Sequence, residues 1–374
     1  MMTIILWALL KIVIIVGFTM AMAALLTITD RRESSMIQDR IGPNRAPLFS
    51  SEVWDVRGKL RLIGIVHVIA DALKMVFKED FTVKKGNRFI HTISPILAFS
   101  PGLVILAVIP FGGTTAGGLS FQITDFGPGV LFAFAFASLG VYGIALAGWS
   151  SNSKFSLLGG IRATSQMISY EVALGLSLMG IFLIFGTLNL GEIVEGQQAL
   201  NANGTPDLLF GFLPKWGLFL QPFALFLYFA AATAETKRAP FDVPEAESEL
   251  VAGFFTEYGS MKMGAFLFGE YIEVIIFSMM FTTMFLGGYH FPYLYSDGFH
   301  FFGHHLQMNA TLVAILQLFT FFGKVIFVAW FHLVIRWTLP RFRYDQVINL
   351  GWKMLFPAAL LNMAITAIVL TIIK

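Results

Sequence analysis

Long apolar runs alternate with short polar segments along most of the chain. Runs at about 4–29, 92–113, 129–150, 162–187, 216–234, 263–288, 307–330 and 354–373 carry few charges or none. Each is close to the ~20 residues that a helix needs to cross the hydrocarbon core of a bilayer. The pattern predicts an all-α polytopic membrane protein with about eight transmembrane helices. Ser94-Pro95 and Pro101 are expected to kink the second span. The first run lacks a basic flank before it and a small-residue cleavage pattern after it, so it reads as a retained span. Residues 60–78 are apolar but break the pattern. Gly64, His67, Asp71, Lys74 and Lys78 recur at spacings of three and four, one polar stripe on an apolar helix. This predicts an amphipathic interfacial helix in the first polar loop, its stripe facing either water or protein. With no internal repeat and no separate soluble segment, 1–374 reads as a single membrane domain.

Composition agrees with this class. Of 374 residues, 56% are hydrophobic and 13% charged, against roughly 25% charged in soluble domains. The net charge of +2 gives no reason to expect a nucleic-acid partner. Of the 25 Lys and Arg residues, 21 fall in the segments 30–91, 151–162, 235–262 and 334–353. By the positive-inside rule these are the cytoplasmic loops, which puts both termini on the outer side. The chain has no cysteine, which excludes thiolate-ligated iron–sulfur clusters and c-type haem attachment within it.

The most polar stretch between two apolar runs is 235–258, Glu-Thr-Lys-Arg-Ala-Pro-Phe-Asp-Val-Pro-Glu-Ala-Glu-Ser-Glu onward. Pro240 and Pro244 break helical structure there. A helix is expected to restart near Asp242, which can cap it while Glu245 reaches back. Acids at a helix N-terminus account for part of Glu245, Glu247 and Glu249; they do not account for so polar a loop between lipid-length helices. Within the spans lie Glu171, Glu270, Glu273 and Lys324, with Glu235 at the end of one. A charge at a helix centre costs about 2.5–3.5 kcal/mol on insertion scales. Two readings of these groups stay open: ion pairs that pin helices, Lys324 with a facing glutamate among them, or a hydrated chain of carboxylates that passes protons. His300, His304 and His305, with His290 nearby, read as a surface cluster with no metal site. If that segment were helical, His300 and His304 would share a face. No P-loop, dinucleotide fingerprint or nucleophile elbow occurs.

The stretch from Glu235 to Gly253 resembles the signature of the subunit 1 family (in other terms the H subunit) of respiratory NADH:quinone oxidoreductase, complex I. Ile37–Arg45, Ala70–Lys74 with Lys78-Glu79, Gln166–Glu171, Gly269–Tyr271 and Arg336–Gln346 resemble the family's other blocks, in its order and over nearly the whole chain. The resemblance implies an eight-helix subunit at the junction of the membrane and peripheral arms. Arg45, Asp71, Lys74, Glu235 and Arg238 would line or gate the quinone tunnel. Asp30, Glu171, Glu235, Glu245, Glu247, Glu249 and Glu270 would form an acidic proton path, Asp30 standing where the family usually has Glu. It also implies quinone as substrate, no covalently bound cofactor, and FMN and iron–sulfur clusters in partner subunits. The implied partners are the iron–sulfur subunit nearest the quinone, its large peripheral-arm neighbour, small membrane subunits and lipid, in a bacterial inner membrane. His67-Val68 replaces a usual Gln-Pro, Lys237 a usual Asn, and 46–59 lacks the usual glycines. Two alternatives remain: the homologous membrane subunit of an ion-pumping hydrogenase-type complex, and a stand-alone proton or cation transporter. A transporter predicts a repeat pair or broken helix around a midplane site, and none is visible in the sequence.

Overall fold

The computed structural model describes residues 2–43, 64–114, 120–198, 208–209, 213–244, 247–295, 298–301 and 304–373. In chain order the helices are α1 (Met2–Ile37), α2 (Ile65–Phe77), α3 (Arg88–Ile105), α4 (Gly129–Ser150), α5 (Lys154–Phe185), α6 (Leu190–Gln197), α7 (Gly217–Leu220), α8 (Pro222–Glu235), α9 (Glu247–Leu250), α10 (Ser260–Phe285), α11 (Ala310–Thr338), α12 (Tyr344–Asn349) and α13 (Phe356–Ile373). A π-helical turn at Leu350–Leu355 makes α12 and α13 continuous. Among the described residues, seven helices are long and apolar enough to cross a membrane.

The expected eighth span, 216–234, is shorter than its hydropathy suggests. Backbone at Gln221 leaves the helical region, with φ −138° and ψ 58°. Pro222 then starts α8, which has 14 residues and so is about 21 Å long, less than the ~30 Å hydrocarbon core. The break is internally satisfied: Gln221 donates to Thr366 Oγ1 at 2.8 Å and accepts from Asn362 Nδ2 at 3.0 Å. Ala224, Leu227, Tyr228 and the residues from Ala231 to Glu235 of α8 are buried, whereas Phe223 and Phe226 near its start are exposed.

The polar segments expected as loops are partly helical. α1 runs through Asp30 to Ile37, α5 begins at Lys154, and α11 extends to Thr338. The striped segment is the helix α2, which buries none of its residues; 60–63 lie outside the described residues. Asn87 caps α3 by accepting from Phe89 N and Ile90 N. Pro95 and Pro101 both lie inside that helix. No helix restarts at Asp242. Among the described residues the next helical ones are Glu247–Leu250; one Asp242 carboxylate oxygen is engaged by Arg341 (below) and the other makes no hydrogen bond there.

Small residues permit close helix approach, the main source of packing where lipid removes the hydrophobic drive between helices. A Cβ at Gly143 would lie 2.4 Å from Ala98 N, so α3 and α4 meet backbone to backbone there. A Cβ at Gly159 would lie 2.7 Å from Gly253, which seats the loop after α9 on α5. Fully buried Tyr170, Tyr228, Leu174, Leu178 and Phe285 belong to the main apolar core.

At the end opposite the 235–258 loop, β1 (Leu208–Leu209) pairs with β2 (Leu213–Pro214), and β3 (Leu294–Tyr295), β4 (Gly298–Phe301) and β5 (His304–Gln307) form an antiparallel meander. His300 and His304 therefore lie on paired strands, not on one helical face, and His300 is in register with His305. Among the described residues, no group of three or more His, Cys, Asp or Glu side chains is placed to hold a metal ion.

Candidate functional site

Three helix ends converge at one end of the bundle: α1 brings Asp30, α8 and the turn after it bring Glu235, Lys237 and Arg238, and α11 brings Arg336 and Trp337. The middle of α10 supplies Glu270, Tyr271 and Glu273. Burial of so many charges is costly unless they are paired. Here they pair in two sets.

Asp30 is the centre of the first set. Its carboxylate accepts from Arg336 Nη1 at 2.5 Å, Trp337 Nε1 at 2.7 Å and the Tyr271 hydroxyl at 2.9 Å. Arg238 Nη1 lies 3.7 Å from the same carboxylate, and Arg238 Nη2 lies 3.5 Å from Glu270 Oε2. The Arg238 guanidinium also sits over the Tyr271 ring, 3.9 Å from its centroid, a cation–π contact worth about 2 kcal/mol when desolvated. Arg238 is thus shared between two acids and fully donated to neither, since its Nε and Nη1 make no hydrogen bond.

The second set is Lys237 with Glu273, at 2.8 Å. Lys237 has a positive φ of 57°, which turns the chain so that consecutive basic side chains reach two acids three residues apart on α10. The added charge at this position is therefore neutralised inside the protein. Glu235, just before this turn, is buried and its Oε2 has no hydrogen-bond partner among the described residues. Glu171 on α5 accepts a hydrogen bond from Ser138. Glu235 and Glu273 also border an apolar cavity between α3, α4, α5, α8 and α10. Its open volume of about 50 Å³ is room for a few waters at ~10–15 Å³ each.

Other sequence-predicted residues lie apart from this cluster. Asp71 accepts from Arg31 Nη2 at 2.5 Å and lies 3.9 Å from Lys74, all on partly exposed side chains. Glu249 pairs with Arg162 at 2.5 Å near the surface. Arg45 and Glu245 lie outside the described residues, and Glu247 is described only as the first residue of α9.

Sequence reasoning misses Glu33, buried three residues after Asp30 with both carboxylate oxygens unpartnered among the described residues. Its signal is the Asp30–Glu33 spacing on a helix that runs further than hydropathy alone indicates. Lys324 does not face a glutamate as its charge suggests. Instead its ammonium donates to the carbonyls of Leu286 at 2.6 Å, Gly288 at 3.1 Å and His290 at 2.5 Å. It caps the chain leaving α10 and lies 4.3 Å from the Trp216 ring centroid. Burial, with the Lys324 charge beside it, pushes His290 down to about 3, so that imidazole is neutral.

The loop carrying the basic pair is held from outside by Arg341. This residue donates to the Asp242 carbonyl at 2.5 Å and to its carboxylate at 2.7 Å. Phe342 N donates to Pro240 O at 3.0 Å, and Phe342 stacks on Phe241. Burial lifts the Asp242 carboxyl from 3.8 to about 6, against the opposing pull of Arg341. A raised acid pKa stabilises the fold below the unfolded value, and that contribution is lost as pH rises through about 6. Asp242→Asn removes the titration. The thermal midpoint of the variant relative to the parent should therefore shift in the variant's favour between about pH 5 and pH 7.5. A difference independent of pH would show that Asp242 does not titrate there.

Fold and site together define a polytopic helical membrane protein with a buried, partly unsatisfied set of acids at one end. The family model described as NADH dehydrogenase matches residues 10–367, and the chain belongs to that family. It is 40% identical to the H subunit of NADH-quinone oxidoreductase from Flavobacterium psychrophilum, over 97% of this chain and 96% of that protein. It is likewise 40% identical to the H 1 subunit of the same enzyme from Cytophaga hutchinsonii, over 91% and 90% of the two chains. Identity to the H subunit from Bdellovibrio bacteriovorus is 39%, over 97% and 96%.

Proposed function

We propose that this chain is the membrane-arm H subunit of a proton-pumping NADH:quinone oxidoreductase. It forms the quinone chamber where the membrane arm meets the peripheral arm, together with the start of the acidic path that couples quinone reduction to proton translocation. The observation that carries this reading is Arg238, buried between Asp30 and Glu270 without a full bond to either. A cation shared between two carboxylates responds to any change of charge nearby, and acids in a low-dielectric site answer by taking up or releasing a proton.

Quinone reduction takes up two protons and changes the local charge. Arg45, Asp71, Lys74, Glu235 and Arg238 line or gate the quinone's approach, and Asp30, Glu171, Glu235, Glu245, Glu247, Glu249 and Glu270 relay the response. Electrons arrive from iron–sulfur clusters, and ultimately FMN, in partner subunits docked on the basic loops 30–91, 151–162, 235–262 and 334–353. The chain resides in a bacterial inner membrane with its termini outside.

Mild-detergent purification of the tagged chain, followed by an inhibitor-sensitive NADH:quinone assay, tests the reading. A flavin- and iron–sulfur-containing assembly that reduces quinone is expected. An iron–sulfur assembly without quinone activity would replace this reading with a hydrogenase-type complex. Glu171→Gln and Glu270→Gln should each lower coupled turnover by roughly two orders of magnitude, the scale of a lost proton-transfer group, with assembly intact. Full turnover and pumping in both variants would remove the acidic path.

A further inference from the structure

We infer that Gln166 is the positioning residue of the acidic turn, a clasp that fixes Glu235, Lys237 and Arg238 relative to Glu171. The inference rests on the function proposed above. Gln166 on α5 is fully buried. Its amide nitrogen donates to Ala234 O at 2.7 Å and to Phe241 O at 2.8 Å. Both neighbours are acceptors, so the orientation of the amide is set by chemistry: only the NH2 end can face them. Its two N–H groups are used on two carbonyls that bracket the segment 235–240, and that segment holds all three ionisable side chains of the turn.

No other described side chain closes the segment in this way. Arg341 and Phe342 grip the loop from outside at Asp242 and Pro240, which holds it to the segment after α11 but leaves the 234-to-241 closure unset. Gln166 sets that closure and ties it to α5, the helix that also carries Glu171 five residues later. One turn along the same face, Tyr170 packs against Phe241 and donates its hydroxyl to Val347 O at 2.7 Å. Movement of the acidic turn relative to Glu171 must therefore break or carry the Gln166 amide. The Gln166 Oε1 is buried without a partner among the described residues, so the side chain is held by these two donated bonds and not by its acceptor.

The test compares Gln166→Met, which keeps the volume and loses both donors, with Gln166→Asn, which keeps the amide on a shorter stem, in whole membranes. Retention of the subunit and NADH:ferricyanide activity report assembly. The readouts are the ratio of protons pumped to quinone reduced and the quinone KM against kcat. We expect assembled Gln166→Met to show a lower proton ratio and a KM raised by roughly fivefold, the factor carried by one net hydrogen bond, with Gln166→Asn between it and the parent. An assembled Met variant with the parent's ratio and KM would overturn the inference, as would loss of the subunit in both variants, which would make Gln166 purely structural. If only the Met variant is lost, an Asn variant with unaltered coupling would also overturn it, and a lowered ratio would support it. Parent membranes without quinone reductase activity dependent on this chain would instead overturn the proposed function.

Discussion

Arg238→Met is expected to abolish quinone-dependent turnover and to destabilise the subunit by about 3–5 kcal/mol, the usual cost of removing one partner from a buried ion pair. The two acids it bridges do not lose equally. Asp30 keeps three short hydrogen bonds, from Arg336, Trp337 and Tyr271. Glu270 has Arg238 as its ion-pair partner among the described residues, and one of its oxygens is already without a hydrogen bond. The destabilisation should therefore arise at Glu270. Adding Glu270→Gln to the Arg238 variant removes the stranded charge and should restore much of the lost thermal stability, a positive coupling in a double-mutant cycle. Thermal denaturation of the purified assembly measures it. Strictly additive effects would mean that Arg238 and Glu270 are not energetically paired.

Lys324→Met should cost about as much for a different reason. Methionine fills a similar length of side chain but leaves the carbonyls of Leu286, Gly288 and His290 without the donor they have in the parent. Each unsatisfied buried acceptor costs about 1–3 kcal/mol. The expected result is a sharp fall in the amount of subunit retained in membranes, with unchanged coupling in the fraction that remains. Arginine is not a rescue, because its planar fork cannot reproduce a point charge inside three converging carbonyls. The opposite pattern, full abundance with altered proton pumping, would place Lys324 on the proton path and sink the capping role.

These arginine and lysine sites mark where sequence reasoning suffices and where it does not. Spans of apolar residues, the polar stripe of α2 and the excess of Lys and Arg in four segments are properties of a local window, and helix or bilayer physics converts them directly into elements. The class of protein, the positions of most helices and the identity of the polar loop are therefore legible. Glu171, Glu270 and Glu273 are legible too, because a charge inside an apolar run is conspicuous without any structure; buried Glu33 is not, since it lies past the end of its run.

What each charge pairs with is not legible, because partners lie far apart in the chain: Asp30 and Arg336 are separated by 306 residues. Periodicity places Glu270 and Glu273 on one face of α10. Only the turn at Lys237 decides that consecutive basic residues divide them. Hydropathy marks 216–234 as a span, whereas the polar side chains of Asn362 and Thr366 on a distant helix accommodate the break at Gln221 and leave α8 short. Charge alone matches Lys324 to a glutamate; packing puts three carbonyl oxygens there instead, since a helix end buried in the membrane must find donors for its last acceptors. The sequence by itself determined which residues could not face lipid. Tertiary structure decided which of them face one another, because that depends on how close-packed helices bring distant turns together.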